Sequence, residues 1–356
     1  MADLYFNDIL INERAFGKYI EALPHQNRNA LIKSGVFVSD PRVKQLLSSQ
    51  VGSYQGVLPM IGRIDNADPQ NYDGQTDIET ERIGTLKQSV IAYGRAHGWE
   101  ELDFTTDISA GENPLQWMGQ QIADYWDDQE TKIVMGVTKA LFEVGTKSGA
   151  TSNEQAFTEK HTIDLTTAQG GATQVDDCIA PQTLNNLVQQ ASGDKRGQYT
   201  MVFMHSTVAK NLENEKLLQW MKGTDANGIQ RDLTMATWNG RTVIVDDGMI
   251  DPETGHYITY VFGRGAFSFD SLGAKVPVEI AREAAKNGGI TRLYNRRRNV
   301  LVPRGFSFVG SPATLSPTNA ELFAKENWAI VAGGTVARPQ EFNHRDIPIA
   351  RIISKG

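Results

Sequence analysis

The sequence predicts an α+β protein, and three observations carry that expectation. Apolar residues repeat at helical spacing from Leu115 to Val144. Two strand-like runs bracket a polar excursion between residues 52 and 107, and helix and strand patterns alternate from about residue 175 to 299. A chain of 356 residues, 40% hydrophobic and 22% charged, can bury one large core or two moderate ones.

Residues 1–51 read as an arm with short amphipathic helices, because apolar residues recur at Leu4, Phe6, Ile9 and Leu10 and again at Leu31 and Ile32. From Gly52 to Asp107 the composition shifts to Gly, Asp, Asn and Thr. Here GVLPMIG and TLKQSVIAYGRA flank an acidic, loop-like stretch from Ile64 to Glu81, the pattern of an extended hairpin rather than a packed layer. Asn113 then offers a helix cap and Pro114 a first-turn proline. Leu115, Met118, Ile122, Tyr125, Trp126, Ile133, Val137, Leu141 and Val144 follow at helical spacing, with Gly136 the one weakened turn. About thirty residues at ~1.5 Å each make a rod of ~45 Å, long for a chain whose compact radius of gyration is ~20 Å, so the subunit should be flat or elongated.

After a Gly/Ser/Thr-rich connection at residues 148–152, TLNNLVQQAS and STVAKNLENEKLLQW read as helices, the second opened by Ser206. YTMVFMH, RTVIVDDGM and HYITYVFG read as strands, as do NVLVPRGFSFVG and the final IPIARIIS. Thr318 and Glu321 form a capping-box pattern ahead of a short helix.

Catalytic readings find little support. Asp246 and Asp247 follow the apolar run TVIV, where a metal-dependent hydrolase could place carboxylates. A strand-to-turn junction closed by Gly248 explains them as well, and no other clustered acids or histidines complete a ligand set. His97, Glu100 and Glu101 lack the spacing of a helical zinc site, and His97 is expected at a loop edge. Cys178 is flanked by Asp176 and Asp177, which disfavour a thiolate, so it is expected as a partly buried small apolar residue; a single cysteine also closes no intramolecular disulfide. GRGAFSF and GGATQVDD contain no phosphate-binding fingerprint, and Asp124, Asp127 and Asp128 are expected on a solvated helix face. No enzyme activity, cofactor or metal is expected.

Charge and hydropathy narrow the partners. The first twenty residues lack the basic-then-apolar layout of an export signal, and the apolar stretch Ile133 to Val144 is interrupted by Lys139 and shorter than a span. A soluble protein without a membrane partner is expected. The formal net charge of -7 argues against general DNA affinity. Against that background TRLYNRRRNVLVPRGFSF concentrates Arg292, Arg296, Arg297, Arg298 and Arg304 and contains no acid. It reads either as a nucleic-acid patch or as an interface; the interface is favoured, with Asp65, Asp68, Asp73, Asp77, Glu79 and Glu81 of a neighbouring copy as the complementary surface.

Read in order, MHSTVAKNL, VIVDDGM, YVFGRGAF, LYNRRRNVLVPRGFSF and SPTNAELFAKENWA resemble the A-domain and C-terminal core of tailed-phage major capsid proteins of the Hong Kong 97 type. WEELDFTTDISAGENPLQWMGQQIADYWDDQE is similar to the segment that leaves their hairpin and starts their spine helix. The resemblance runs from about Gly52 to the C-terminus. It implies an N-terminal arm (1–51), an E-loop (52–107), a P-domain with the spine helix (108–174), an axial A-domain (175–299) and returning P-domain strands (300–356). It also implies hexamers and pentamers in an icosahedral shell that encloses double-stranded DNA without sequence-specific binding, assembled in the bacterial host cytoplasm. A scaffolding protein, a portal and decoration proteins are the implied partners. Net acidity suits a container that must release its DNA. An encapsulin-like compartment shares the fold and would differ in holding an enzyme cargo.

Overall fold

The computed structural model describes residues 35–48, 54–62, 70–72, 75, 77, 84–102, 114–166, 178–224, 230–335 and 338–356. The amphipathic positions expected at Leu4, Phe6, Ile9, Leu10, Leu31 and Ile32 lie outside them. β1 (Phe37–Val38) and α1 (Pro41–Ser48) precede β2 (Gln55–Ile61), which pairs antiparallel with β3 (Thr85–Leu102) from Gln55↔Ile91 to Ile61↔Thr85. The two runs read as strands thus pair as a hairpin, and β3 continues past it into a larger sheet. α2 (Pro114–Glu143) covers the helical repeat and tightens to a 3-10 turn at Val144–Thr146. Ile122, Trp126, Ile133, Val137 and Leu141 form its buried stripe.

α3 (Ser152–Lys160) opens on a capping box between Thr151 and Glu154. The buried Glu154 carboxylate also accepts from Ile330 N at 3.1 Å and Lys147 Nζ at 2.8 Å, tying the helix to the C-terminal region. β4 (Thr162–Asp164), α4 (Thr183–Ser192), β5 (Tyr199–Met204) and α5 (Ser206–Asn214) follow. The helix expected from Ser206 to Trp220 ends at Asn214, because Lys216 takes a left-handed φ of 59° and Leu218 begins β6 (Leu218–Thr224). His205 caps it, its ring accepting from Thr207 N at 3.0 Å. β7 (Gln230–Trp238) and β8 (Arg241–Val245) join through Asn239 and Gly240, at φ 48° and 76°, a tight Asn-Gly hairpin. β9 is Tyr257–Gly263.

Beyond β9 come β10 (Phe267–Ser271), β11 (Val278–Glu283), β12 (Ile290–Pro303) and β13 (Phe306–Phe308). Then follow α6 (Asn319–Phe323), β14 (Trp328–Ile330), β15 (Ala332–Thr335), β16 (Arg338–Glu341) and β17 (Ile349–Ser354). The Thr318–Glu321 capping box opens α6 as read. One sheet has the order β1-β10-β12-β3-β15-β16, with β11 also on β12 and β2 also on β3; a second runs β4-β17-β9-β5-β8-β7-β6.

Residues 175–299, the expected axial unit, contribute strands to both sheets. β5 to β9 of that segment lie in the seven-stranded sheet with β4 and β17, and from Phe267 the chain enters the sheet of β3 through β10 and β12. Strand alternation divides the core. Met201, Phe203, Tyr260 and Phe262 pack with Val137 and Leu141 of α2, whereas Val202, Met204 and Val261 pack on the other face with Leu187 of α4 and Leu212 of α5. Cys178 is exposed, contrary to expectation, because Ile179 beside it takes the buried position ahead of α4. Among the described residues no helix is long and apolar enough to cross a membrane.

Candidate assembly surface

The arginine-rich run is β12, the middle strand between β11 and the distal half of β3. Residues two apart share a face of a strand, and the packing shows which. Leu293, Arg297, Asn299 and Leu301 turn toward α2, where Leu293 packs with Ile122 and Trp126. On the opposite face α1 covers Val300 and Val302 through Val43 and Leu47. Arg292, Tyr294, Arg296 and Arg298 continue that face beyond α1.

Three of the five candidate arginines find carboxylates within the chain. Arg292 contacts Glu283 at 3.0 Å and Glu100 at 3.4 Å, and Glu283 first, then Glu100, raise its affinity for its proton above the ordinary value. Arg296 meets Glu279 at 2.8 Å and lies over the Tyr294 ring at 5.9 Å. Glu100 stands directly opposite Arg292, whereas Glu279 and Glu283 reach their arginines diagonally from β11. Toward the helix, Arg297 donates to Glu130 Oε1 at 2.9 Å and sits 5.0 Å from the Trp126 ring centre; Asn299 donates to the same carboxylate oxygen at 3.3 Å. The Arg297 and Glu130 side chains are only 15% and 12% exposed, which sets this pair apart from the exposed ones.

Arg298 is half-buried and Arg304 exposed at the turn between β12 and β13, and neither has a carboxylate partner among the described residues. Asp77 is exposed. Asp65, Asp68, Asp73, Glu79 and Glu81 lie outside the described residues, so the structure does not bring the acidic excursion to the arginines. The intrachain acids Glu130, Glu279 and Glu283 escaped the sequence reading, and Glu100 entered it only as a rejected zinc ligand. Their signal was available in part, since VEIARE and TRLYNRR flank Asn287 and Gly288, a hairpin turn with φ of 49° and 79°.

The other candidates serve the fold. Asp246 Oδ1 accepts from Gly248 N at 2.8 Å, a turn closure, and Asp247 is held below the usual carboxylate range chiefly by Ser206. Among the described residues no group of three His, Cys, Asp or Glu is placed to hold a metal ion. His97 is in strand β3 rather than at a loop edge, with its ring 4.8 Å from Trp99 and 4.9 Å from Tyr125. Asp124 and Asp128 are exposed, while Asp127 is half-buried along an apolar cleft beside Phe37 and Phe269.

No family model matches the chain. It is 26% identical over 350 residues to the major capsid protein of Bacillus phage SPP1, a match covering 97% of this chain and 99% of that one. Among solved structures, the capsid of Ralstonia phage GP4 aligns with a TM-score of 0.50 at 10% identity, over 85% of this chain and 84% of that one. A chain of Mycobacterium phage Bobi aligns with a TM-score of 0.48 at 12% identity, over 92% and 90%. The GP4 likeness shows a mixed helix-and-sheet fold of the phage capsid class. From end to end, then, the chain is similar to a phage major capsid protein, and its fold is of the kind seen in tailed-phage capsids.

Proposed function

We propose that the subunit assembles as hexamers and pentamers of an icosahedral shell around double-stranded DNA, in the bacterial host cytoplasm, and catalyses nothing. The end-to-end match to a curated capsid protein carries this reading. The β2–β3 hairpin supports it, because Val57 and Ile61 of β2 stand 52% and 83% exposed on the lone subunit. In the Hong Kong 97 type description, α2 is the spine of the P-domain and β2 with the start of β3 forms the E-loop. The sheet of β4 to β9 and β17 is the axial domain, and residues 1–51 are the arm. Arg298 and Arg304 are the arginines left for carboxylates of neighbouring copies, with Asp77 and the acids of the excursion as candidate partners. A scaffolding protein, a portal and decoration proteins are the further partners.

Expression with the cognate scaffold, followed by negative-stain microscopy and nuclease treatment of the contents, tests the reading. Closed shells or capsomers are expected. A monodisperse monomer in sedimentation, even with scaffold, would refute it, and an enclosed enzyme in place of DNA would redirect it to a compartment.

A further inference from the structure

A second arginine site lies in the other sheet from β12, at the end of the seven-stranded sheet where β5 and β8 begin. Arg241 is the first residue of β8 and the cross-strand partner of Trp238. It is 8% exposed, yet its guanidinium makes one long hydrogen bond, to Asn239 O at 3.4 Å, and its buried Nε has no partner. No carboxylate among the described residues pairs with it; the charge it feels is Arg196, a like charge. Burial first, then Arg196, weakens its hold on its proton relative to an ordinary arginine. One more buried donor of the same core has no partner, the Trp238 indole Nε1, whereas the buried Tyr199 hydroxyl is within reach of the Gln198 side chain. Among the described residues the exposed Arg196 reaches Asn185 Oδ1 alone, at 3.4 Å, and neighbouring Lys195 is already paired with Asp346.

Buried cations are ordinarily paired, because an unpaired charge away from water is costly. Here a buried guanidinium, within the field of a second and exposed one, has no acid among the described residues, and an unspent indole N–H belongs to its cross-strand partner. That is the donor set of an oxyanion site, and planar guanidinium suits a carboxylate. We propose that this end of the axial sheet is filled, in the assembled shell, by a carboxylate from a second copy of the chain. The inference rests on the capsid reading for its occupant. A self-assembling chain with 42 acidic against 35 basic residues brings carboxylates to its own surface at high local concentration. DNA phosphate fits less well, because backbone binding takes many clustered cations and the chain carries a net charge of -7.

The test uses the full chain with scaffold, as wild type, Arg241→Gln and Arg241→Lys. Free Arg241→Gln subunits should keep wild-type secondary structure and melt no lower, since an unpaired buried charge is removed. Their particle yield should fall by about tenfold or more, as for a lost interfacial charge pair. Arg241→Lys particles, built from a mixture of isotopically light and heavy subunits and treated with a carbodiimide, should show the introduced amine joined to an Asp or Glu of a different subunit. If Arg241→Gln misfolds, that crosslink decides alone. Normal Arg241→Gln particles, or a crosslink only within one subunit, would overturn the proposal. Inorganic phosphate that stabilises free wild-type but not Arg241→Gln subunits, without an inter-subunit crosslink, would assign the site to a free anion and overturn the second-copy assignment. If the wild type forms no particles at all the shell reading fails, and the phosphate titration then judges the site: absence of Arg241-dependent stabilisation rejects it.

Discussion

Replacing Arg297 with methionine separates a fold-supporting arginine from an interface arginine. The substitution keeps much of the apolar stem and removes the guanidinium from Glu130 at 2.9 Å and from the Trp126 ring at 5.0 Å. Deleting one partner of a fully buried pair costs ~3–5 kcal/mol, mostly for the charge left behind. Glu130 is 12% exposed and retains Asn299 at 3.3 Å, which lowers that figure, while the lost cation–π contact adds ~0.5–1 kcal/mol. The expected cost is therefore about 2–4 kcal/mol. Glu130→Gln in the Arg297→Met background should restore part of it, since a neutral amide is easier to bury than an orphaned carboxylate. Urea unfolding of unassembled subunits, followed by circular dichroism, measures both changes, and particle counts after scaffold-assisted assembly measure the other role. If Arg297→Met changes subunit stability by less than about 0.5 kcal/mol but abolishes particles, Arg297 works between subunits and the helix-face assignment is wrong.

Arg298→Gln combined with Arg304→Gln should behave oppositely, with subunit stability within about 0.5 kcal/mol of wild type and particle yield reduced; unchanged yield by microscopy removes both from the proposed interface. His161 is buried, its Nδ1 2.7 Å from Ile349 O and its Nε2 3.3 Å from His344 Nδ1, and burial pushes its pKa down to about 3. The unfolded chain, at about 6.5, therefore takes up this proton first, so the contribution is complete above pH ~6.5 and is lost as pH falls toward 3, at ~1.4 kcal/mol per unit. Unfolding free energies from urea titrations should fall between pH 7 and 5 by roughly 2 kcal/mol more in wild type than in His161→Asn, and parallel curves would contradict this. Gly136→Ala gains ~1 kcal/mol of helix propensity, but its Cβ would lie 2.3 Å from the Phe323 ring, an overpacking worth ~1–3 kcal/mol. Net destabilisation is expected, turning to stabilisation in a Phe323→Leu background; a stabilised single variant would show that the ring moves aside at little cost.

What the sequence disclosed were features whose causes are local. Pro114, the apolar repeat and the Thr318–Glu321 cap specify α2 and the start of α6 from residues a few positions apart, and both form as read. The path of the first sheet was hidden because β12 meets β3 across almost two hundred positions, and which strands share a sheet depends on that pairing rather than on either strand's own residues. Gly136 shows the same limit: its sequence reading is a weak helical turn, and its reason, the Phe323 ring, comes from far along the chain.

The arginine run is the instructive failure. Three consecutive arginines look like one patch only if sequence neighbours are spatial neighbours, and in a strand they are not. Period two sends Arg297 to the helix face, against Trp126 and Glu130, and Arg296 and Arg298 to the other. Once β12 is a strand, the single-patch reading gives way to three questions: which arginine is paired across β11, which under α2, and which is left over. Arg298 is left over in the run and Arg304 at its turn, so interface tests belong first at those two positions. Arg241, which has no arginine neighbour in sequence, was invisible to a search for clustered charge, because what marks it is burial without an acid.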